Sequence, residues 1–260
     1  MDTIQIMGID SDIDNRTKID SFKRILNASS RVTGFTGAGI STESGIADYR
    51  SKGGIWDRFQ PVYFDEFLSD PAKRLLYWQR KVELWDGIKN AQPNSGHYFF
   101  KRLHDSGKLF GLITQNIDGL HEKSGIPKDK LVNIHGTNLE VICLQCGRLT
   151  DAHEVFDSLD LSVGVPLCAI CGGLLKPNTI SFGQELNPAD IERATGFLNC
   201  ELMIAAGSTL VVHPAASFPM IAKHNGAKLA IITLSETPLD SYADFVFNMK
   251  LGEFVKLIGM

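Results

Sequence analysis

Short apolar runs spaced along the chain constrain its fold more than any other feature. Val32 to Thr36, Leu109 to Thr114, Leu131 to Ile134, Leu202 to Ala206 and Leu229 to Leu234 each read as a buried strand, and Phe245 to Met249 as a last short one. The stretches between them carry helix signals. Ile19, Phe22, Ile25 and Leu26 share one face of a helix from Thr17 to Ala28. Asp70-Pro71 is an N-cap with proline at the first helical position, ahead of a face formed by Leu75, Trp78, Val82 and Trp85. Pro93-Asn94 opens a helix with Tyr98, Phe99 and Leu103 on its apolar side, Asn187-Pro188 caps another, and one more runs from Pro214 to about Asn225. Strands alternating with helices predict an α/β fold with a mostly parallel, doubly wound sheet. Ser51 to Phe67, broken by Gly53-Gly54 and Pro61, reads as an irregular loop over a ligand.

Open sheets of this kind bind ligands at the carboxyl ends of their strands. The first run ends in Gly37-Ala38-Gly39-Ile40-Ser41, where bare amides and small hydroxyls suit a pyrophosphate. It is not the ordinary dinucleotide fingerprint. Thr42 stands where the third glycine belongs, and Asp48-Tyr49-Arg50 arrives too early for a second strand's ribose-binding acid, which disfavours a common NAD dehydrogenase. The second run delivers Gln115-Asn116-Ile117-Asp118, whose amide and carboxylate either bond a carboxamide and ribose hydroxyls or serve as turn formers. The third delivers His135-Gly136, a histidine placed either as a general base or as a satisfied structural residue. His97, His104 and His224 fall on expected helices, His153 in a loop, His213 before Pro214, and His121 just past Asp118. Gly207-Ser208-Thr209 repeats the small, hydroxyl-bearing pattern. Three such ends argue for one shared nucleotide crevice.

Cys143-x2-Cys146 and Cys168-x2-Cys171 stand twenty-one residues apart, each pair followed by glycine. Two such knuckles supply a closed tetrahedral zinc shell, which leaves no position for substrate and makes the metal structural. Cys200 is left as a buried small residue. The start of the chain, Met1 to Asn15, holds four aspartates and no basic residue, so no signal or transit peptide is expected. No apolar run approaches membrane-spanning length, and metal-spaced cysteines point to a reducing, cytoplasmic setting. A net charge of −4 gives no reason to expect nucleic acid as a direct ligand.

Taken in order, Gly37-Ala38-Gly39-Ile40-Ser41 with Asp48-Tyr49-Arg50, Thr114-Gln115-Asn116-Ile117-Asp118-Gly119-Leu120-His121, His135-Gly136, the two cysteine pairs, Gly172-Gly173-x2-Lys176-Pro177, Phe182-Gly183 and Gly207-Ser208-Thr209 resemble the sirtuin (Sir2) family of NAD-dependent protein-lysine deacylases. The match covers roughly residues 30 to 250. It implies a Rossmann-like domain over 1–136 and 180–260, with a cofactor loop and helical insertion at 55–95, and an inserted zinc-binding module over 137–179. NAD and an acyl-lysine protein or peptide would meet in the cleft between. By the resemblance, the acyl oxygen attacks the nicotinamide ribose, and His135 is the base on a ribose hydroxyl. Asn116 and Asp118 position ribose, water and carboxamide. Gly37, Ala38, Gly39, Ser41, Gln115, Ile117, Gly207, Ser208 and Thr209 contact the dinucleotide, and Asp48, Tyr49 and Arg50 belong to its mobile loop. Thr179, Ile180, Phe182 and Gly183 match the strand that pairs with the substrate backbone.

The chain departs from the family pattern in places. Ala47 and Tyr49 replace the usual proline and phenylalanine of the arginine loop, Thr179-Ile180 replaces paired valines, and Gln184 replaces an acid. Thr233 stands at the position of an asparagine that contacts the adenine ribose. Sirtuins that read acidic acyl chains share a Tyr-x-x-Arg pair, sought here just after Arg50. Ile55 stands at the tyrosine position and Arg58 at the arginine, so acetyl or longer alkyl chains are expected to be preferred, with Phe59, Phe64 and Phe67 as candidate channel walls. Two alternatives remain beside deacylation: mono-ADP-ribosyl transfer on the same scaffold, and an NAD- or ADP-ribose-sensing module. A base at His135 favours deacylation over both.

Overall fold

The computed structural model describes residues 3–260, with side chains from Arg16 onward, so the acidic start at Met1 to Asn15 lies outside the residues whose side chains are described. Helix α1 (Thr3–Ala28) begins well before the expected Thr17 and buries Ile19, Phe22 and Leu26. Strand β1 (Val32–Thr36) is buried throughout and runs into a 3-10 helix, Ala38–Ser44. The stretch expected to be irregular holds two short helices, α2 (Ile55–Arg58) and α3 (Phe64–Ser69). In α4 (Pro71–Asn90) the Asp70 carboxylate accepts from the Ala72 and Lys73 amides, as its cap position dictates. Asn94 does the same for α5 (Ser95–Asp105), accepting from Gly96 N–H.

Strand β2 (Leu109–Thr114), the one-turn helix α6 (Leu120–Lys123) and strand β3 (Leu131–Asn133) follow. The chain then crosses into a small antiparallel sheet of β4 (Gly136–Cys143), β5 (Leu149–Asp151) and β6 (Leu175–Thr179). Helix α7 (Ala152–Asp157) lies between β5 and β6 and carries His153, which is therefore helical and not in a loop. Helix α8 (Pro188–Gly196), capped by Asn187, leads to β7 (Leu202–Ala206), α9 (Phe218–His224), β8 (Lys228–Ile232), β9 (Phe245–Phe247) and α10 (Leu251–Ile258).

The large sheet runs β3-β2-β1-β7-β8-β9, every neighbouring pair parallel. The chain winds outward from β1 to β3 on one side and from β7 to β9 on the other. The strand order therefore reverses at the β1–β7 boundary, and at such a switch point the connections leave a crevice at the carboxyl ends. One layer of core (Phe22, Phe99, Leu112, Ile204, Phe254) covers one face of this sheet, and another (Phe35, Ile113, Met203, Phe218, Ile231) covers the other. A third core joins Phe67, Tyr77, Trp78 and Trp85 to Val141, Cys143, Cys168 and Leu175. The helical insertion and the cysteine module are thus packed on one another, with Trp85 stacked on Phe156 at 4.4 Å.

Candidate active site

A cleft of about 830 Å³ opens at the carboxyl ends of the large sheet, facing the small one. Gly37, Ala38 and Gly39 form its floor beside Gly207, Ser208 and Thr209. These two loops touch: Gly39 N–H donates to Gly207 O at 2.8 Å. Gly207 has φ +63, and a Cβ there would lie 2.3 Å from Ile40 N, so only glycine lets the loops meet. The Gly37, Gly39 and Gly207 amides are spent on Ala206 O, Gly207 O and Ile232 O, so a pyrophosphate here would draw on the other amides and the hydroxyls of the two loops.

Gln115 ties three strand ends together. Its N–H donates to Thr36 O at 2.9 Å, its Oε1 accepts from the Ser208 hydroxyl at 2.6 Å, and its carbonyl accepts from His135 Nδ1 at 3.1 Å. That last bond places the His135 proton on Nδ1 and leaves the Nε2 lone pair free in a ring that lines the cleft. Burial holds the His135 pKa below the ordinary histidine value, against the opposing bond to Gln115 O, so the ring is neutral at pH 7. Gly136, with φ +75, must be glycine because a Cβ would sit 2.1 Å from Asn178 O. The chain of β6 passes close over it, and Ile180 N–H donates to His135 O at 2.8 Å.

Asn116 and Ile117 line the cleft, but Ser41 and Asp118 stand behind its wall. Asn116 Nδ2 donates to Ser41 Oγ at 3.1 Å, and the Ser41 hydroxyl donates to Asp118 Oδ2 at 2.7 Å. Asp118 Oδ1 accepts from Leu120 N–H at 2.9 Å. Burial raises the Asp118 pKa, opposed by these bonds and by Lys123. The carboxylate therefore orients Asn116 through Ser41 as well as starting α6.

Asp48, Tyr49 and Arg50 line the opposite wall, with the Arg50 guanidinium 4.1 Å from the centre of the Trp56 ring. Thr233 lines the cleft beyond β8. Thr179, Ile180, Phe182 and Gly183 all line it too, but only Thr179 belongs to a strand. The Phe182 ring packs between Trp56 and Tyr63, and Phe182 O accepts from Phe64 N–H at 2.9 Å.

The walls of the small-sheet side differ from those expected. Of the three phenylalanines, only Phe59 lines the cleft; Phe67 is fully buried in the third core. Ile55 reaches the cleft, whereas Arg58 is exposed and paired with Glu83. The single Tyr-x-x-Arg spacing in the sequence is Tyr77-Trp78-Gln79-Arg80, and α4 presents Tyr77, Arg80 and Lys81 to the cleft. Tyr77 Oη bonds Thr179 Oγ1 at 3.3 Å, and Lys81 Nζ donates to Asn138 Oδ1 at 2.9 Å. Lys176, buried behind them, donates to the carbonyls of Pro177 and Thr179. Burial lowers Lys81 to about 8 and Lys176 to about 7. None of Arg80, Lys81 and Lys176 has a salt-bridge partner among the described residues.

The sulfurs of Cys143, Cys146, Cys168 and Cys171 all lie within 4.8 Å of one another. Cys143 and Cys171 are 3.5 Å apart, and Cys146 and Cys168 3.8 Å apart. A tetrahedron with Zn–S bonds of about 2.3 Å has edges of about 3.8 Å, so four thiolates here fit one zinc. The separations are far too long for disulfides. Cys200 is buried apart from them.

Residues 37–214 match the Sir2 family model. The chain belongs to the Sir2 family. It is 43% identical over 230 residues to an NAD-dependent protein deacetylase of Rhodopseudomonas palustris, covering 88% of this chain and 90% of that one. It is 39% identical to NAD-dependent protein deacetylase 1 of Bradyrhizobium diazoefficiens, covering 92% and 94%. The fold superposes with a TM-score of 0.84 on a Sir2 protein bound to deacetylated p53 peptide and 3'-O-acetyl-ADP-ribose, at 35% identity, covering 93% of this chain and 97% of that one. A Sir2 complex with p53 peptide and NAD+ gives 0.82 at 36% identity, covering 92% and 96%.

Proposed function

We propose that this Sir2-family chain removes acyl groups from protein lysines at the expense of NAD, giving nicotinamide and an O-acyl-ADP-ribose. The observation that carries the reading is His135. Its neutral ring, held by Gln115 O through Nδ1, offers Nε2 to a cleft whose opposite floor is built for a dinucleotide. A sensing module has no use for a free base there, and transfer of ADP-ribose to a protein or to water needs no activated ribose hydroxyl.

We assign the residue roles from the family resemblance, with their placement around the cleft in support. Gly37, Ala38, Gly39, Gln115, Gly207, Ser208 and Thr209 bind the dinucleotide, Thr233 its adenosine end, and Asp48, Tyr49 and Arg50 close over it. Asn116, oriented by Ser41 and Asp118, holds the nicotinamide ribose. Thr179, Ile180, Phe182 and Gly183 bind the peptide. The acyl oxygen displaces nicotinamide at the ribose carbon. His135 Nε2 then takes the proton of a ribose hydroxyl as that oxygen adds to the acyl carbon, and water completes release of the lysine amine. The four cysteines hold one structural zinc.

We divide the chain into a nucleotide domain (1–136 and 180–260) and a zinc module (137–179), with 55–95 as an insertion that packs on the module. No described helix is long and apolar enough to cross a membrane. Four cysteines at metal-binding spacing and a fifth outside any disulfide suit a reducing compartment, and we assign the chain to the cytoplasm. Mass spectrometry of NAD with an acetyl-lysine peptide tests the function: O-acetyl-ADP-ribose is expected, and ADP-ribosylated protein or no turnover overturns it. In the same assay His135→Ala loses at least about a hundredfold in turnover, with NAD affinity little changed.

A further inference from the structure

Behind the cleft, outside its lining, two histidines are buried against each other. His97 is 0% exposed and His121 1%, and their ring centres are 4.9 Å apart. Neither faces a carboxylate, and each has one ring nitrogen without a partner: His97 Nε2 and His121 Nδ1. Two unsatisfied nitrogens in one buried pair are costly to the fold, and capping α5 does not require either of them.

The main chain sets where the protons are. His97 Nδ1 accepts from Asn94 N–H at 3.2 Å, so a neutral His97 carries its proton on Nε2, the unpartnered atom. The Thr36 hydroxyl is committed to Thr114 Oγ1 and can only accept from His121, which places the His121 proton on Nε2. His121 Nε2–H then donates to Thr36 Oγ1 at 2.9 Å, and the Thr36 hydroxyl donates to Thr114 Oγ1 at 2.8 Å. Thr114 Oγ1 also accepts from Asn116 N–H at 3.1 Å. One line of hydrogen bonds runs from His121, beneath the ends of β1 and β2, to the main chain of Asn116.

We propose that His121 is a positioning residue for the reaction: through Thr36 and Thr114 it fixes the main chain of Asn116 at the nicotinamide ribose. The inference rests on the deacylase reading, so wild-type turnover is measured first and tests that reading by itself. His121→Leu and Thr36→Val each lower kcat about tenfold while the KM values for NAD and peptide stay within about twofold. The double variant falls no further than the worse single one, because both changes cut the same line. His121→Gln, whose amide donor can replace Nε2–H, recovers most of the loss. Wild-type kcat in the folded variants, losses that multiply in the double variant, or a Gln variant no better than Leu would each overturn the proposal. Nitrogen NMR of the histidine rings gives a test independent of turnover and of variant folding: both rings are expected as Nε2–H, and Nδ1–H at His121 sinks the idea.

Discussion

Arg80 lines the cleft with its Nε buried and unpartnered, its guanidinium 5.5 Å from the Phe59 ring centre and one arm bonded to Gln60 O. A guanidinium so placed has donors to spare for a carboxylate, and Lys81 beside it adds a second positive group. The expectation of a preference against acidic acyl chains rested on Ile55 and Arg58. Arg58 points elsewhere, while the same Tyr-x-x-Arg spacing occurs on α4 with both residues in the wall. A succinyl-lysine peptide is therefore expected to be turned over. Arg80→Met should lower its kcat/KM roughly tenfold or more relative to the acetyl-lysine peptide of the same sequence. Equal losses on both peptides would make Arg80 a structural residue. The spacing itself was legible as letters; only the direction of helix α4 shows that it faces the ligand.

At the scale of elements, the zinc knuckles and α4 stand or fall together. Cys143 and Cys168 are buried in the same core as Tyr77, Trp78 and Trp85, so the metal orders both the β4-β5-β6 sheet and the wall that carries Arg80. Cys143→Ser should lose zinc and cooperative melting, because binding free energy at such a site is folding free energy. His135→Ala should keep both. Metal-free protein with an unchanged melt and full activity would refute a structural role. Caps at Asp70, Asn94 and Asn187 announced their helices because short polar acceptors before a first turn have one efficient use. Helices α2 and α3 start after Gly54 and Tyr63, which give no such signal, and although Asp151 caps α7 by accepting from His153 N–H, one or two turns carry too little periodicity to separate from loop.

For the whole molecule, the buried histidines make stability depend on pH. Burial pushes His97 down to about 4 and His121 well below its ordinary value, the latter also repelled by His97. The unfolded chain, with histidines near 6.5, binds the extra protons between those values. Stability is thus complete above about pH 6.5 and falls as pH drops toward 4, with His97 alone costing about 2 kcal/mol by pH 5. Asp118, whose pKa is raised, acts with the opposite sign, so the comparison is made against His97→Gln. Denaturant melts at pH 7.5 and pH 5 should show wild type losing about 2 kcal/mol more than the variant; equal losses would mean that His97 is not held neutral. The sequence by itself determined the parallel sheet, the thiolate shell and the polar residues at each strand end, because those depend on local period, spacing and the rule that strand ends face ligands. Tertiary structure alone decided that Gln115 joins three strands, that Asp118 works from behind Ser41, that α4 turns Arg80 and Lys81 inward, and that His97 and His121 meet. Each of these depends on distances between segments far apart in the chain, which side-chain type and spacing do not encode.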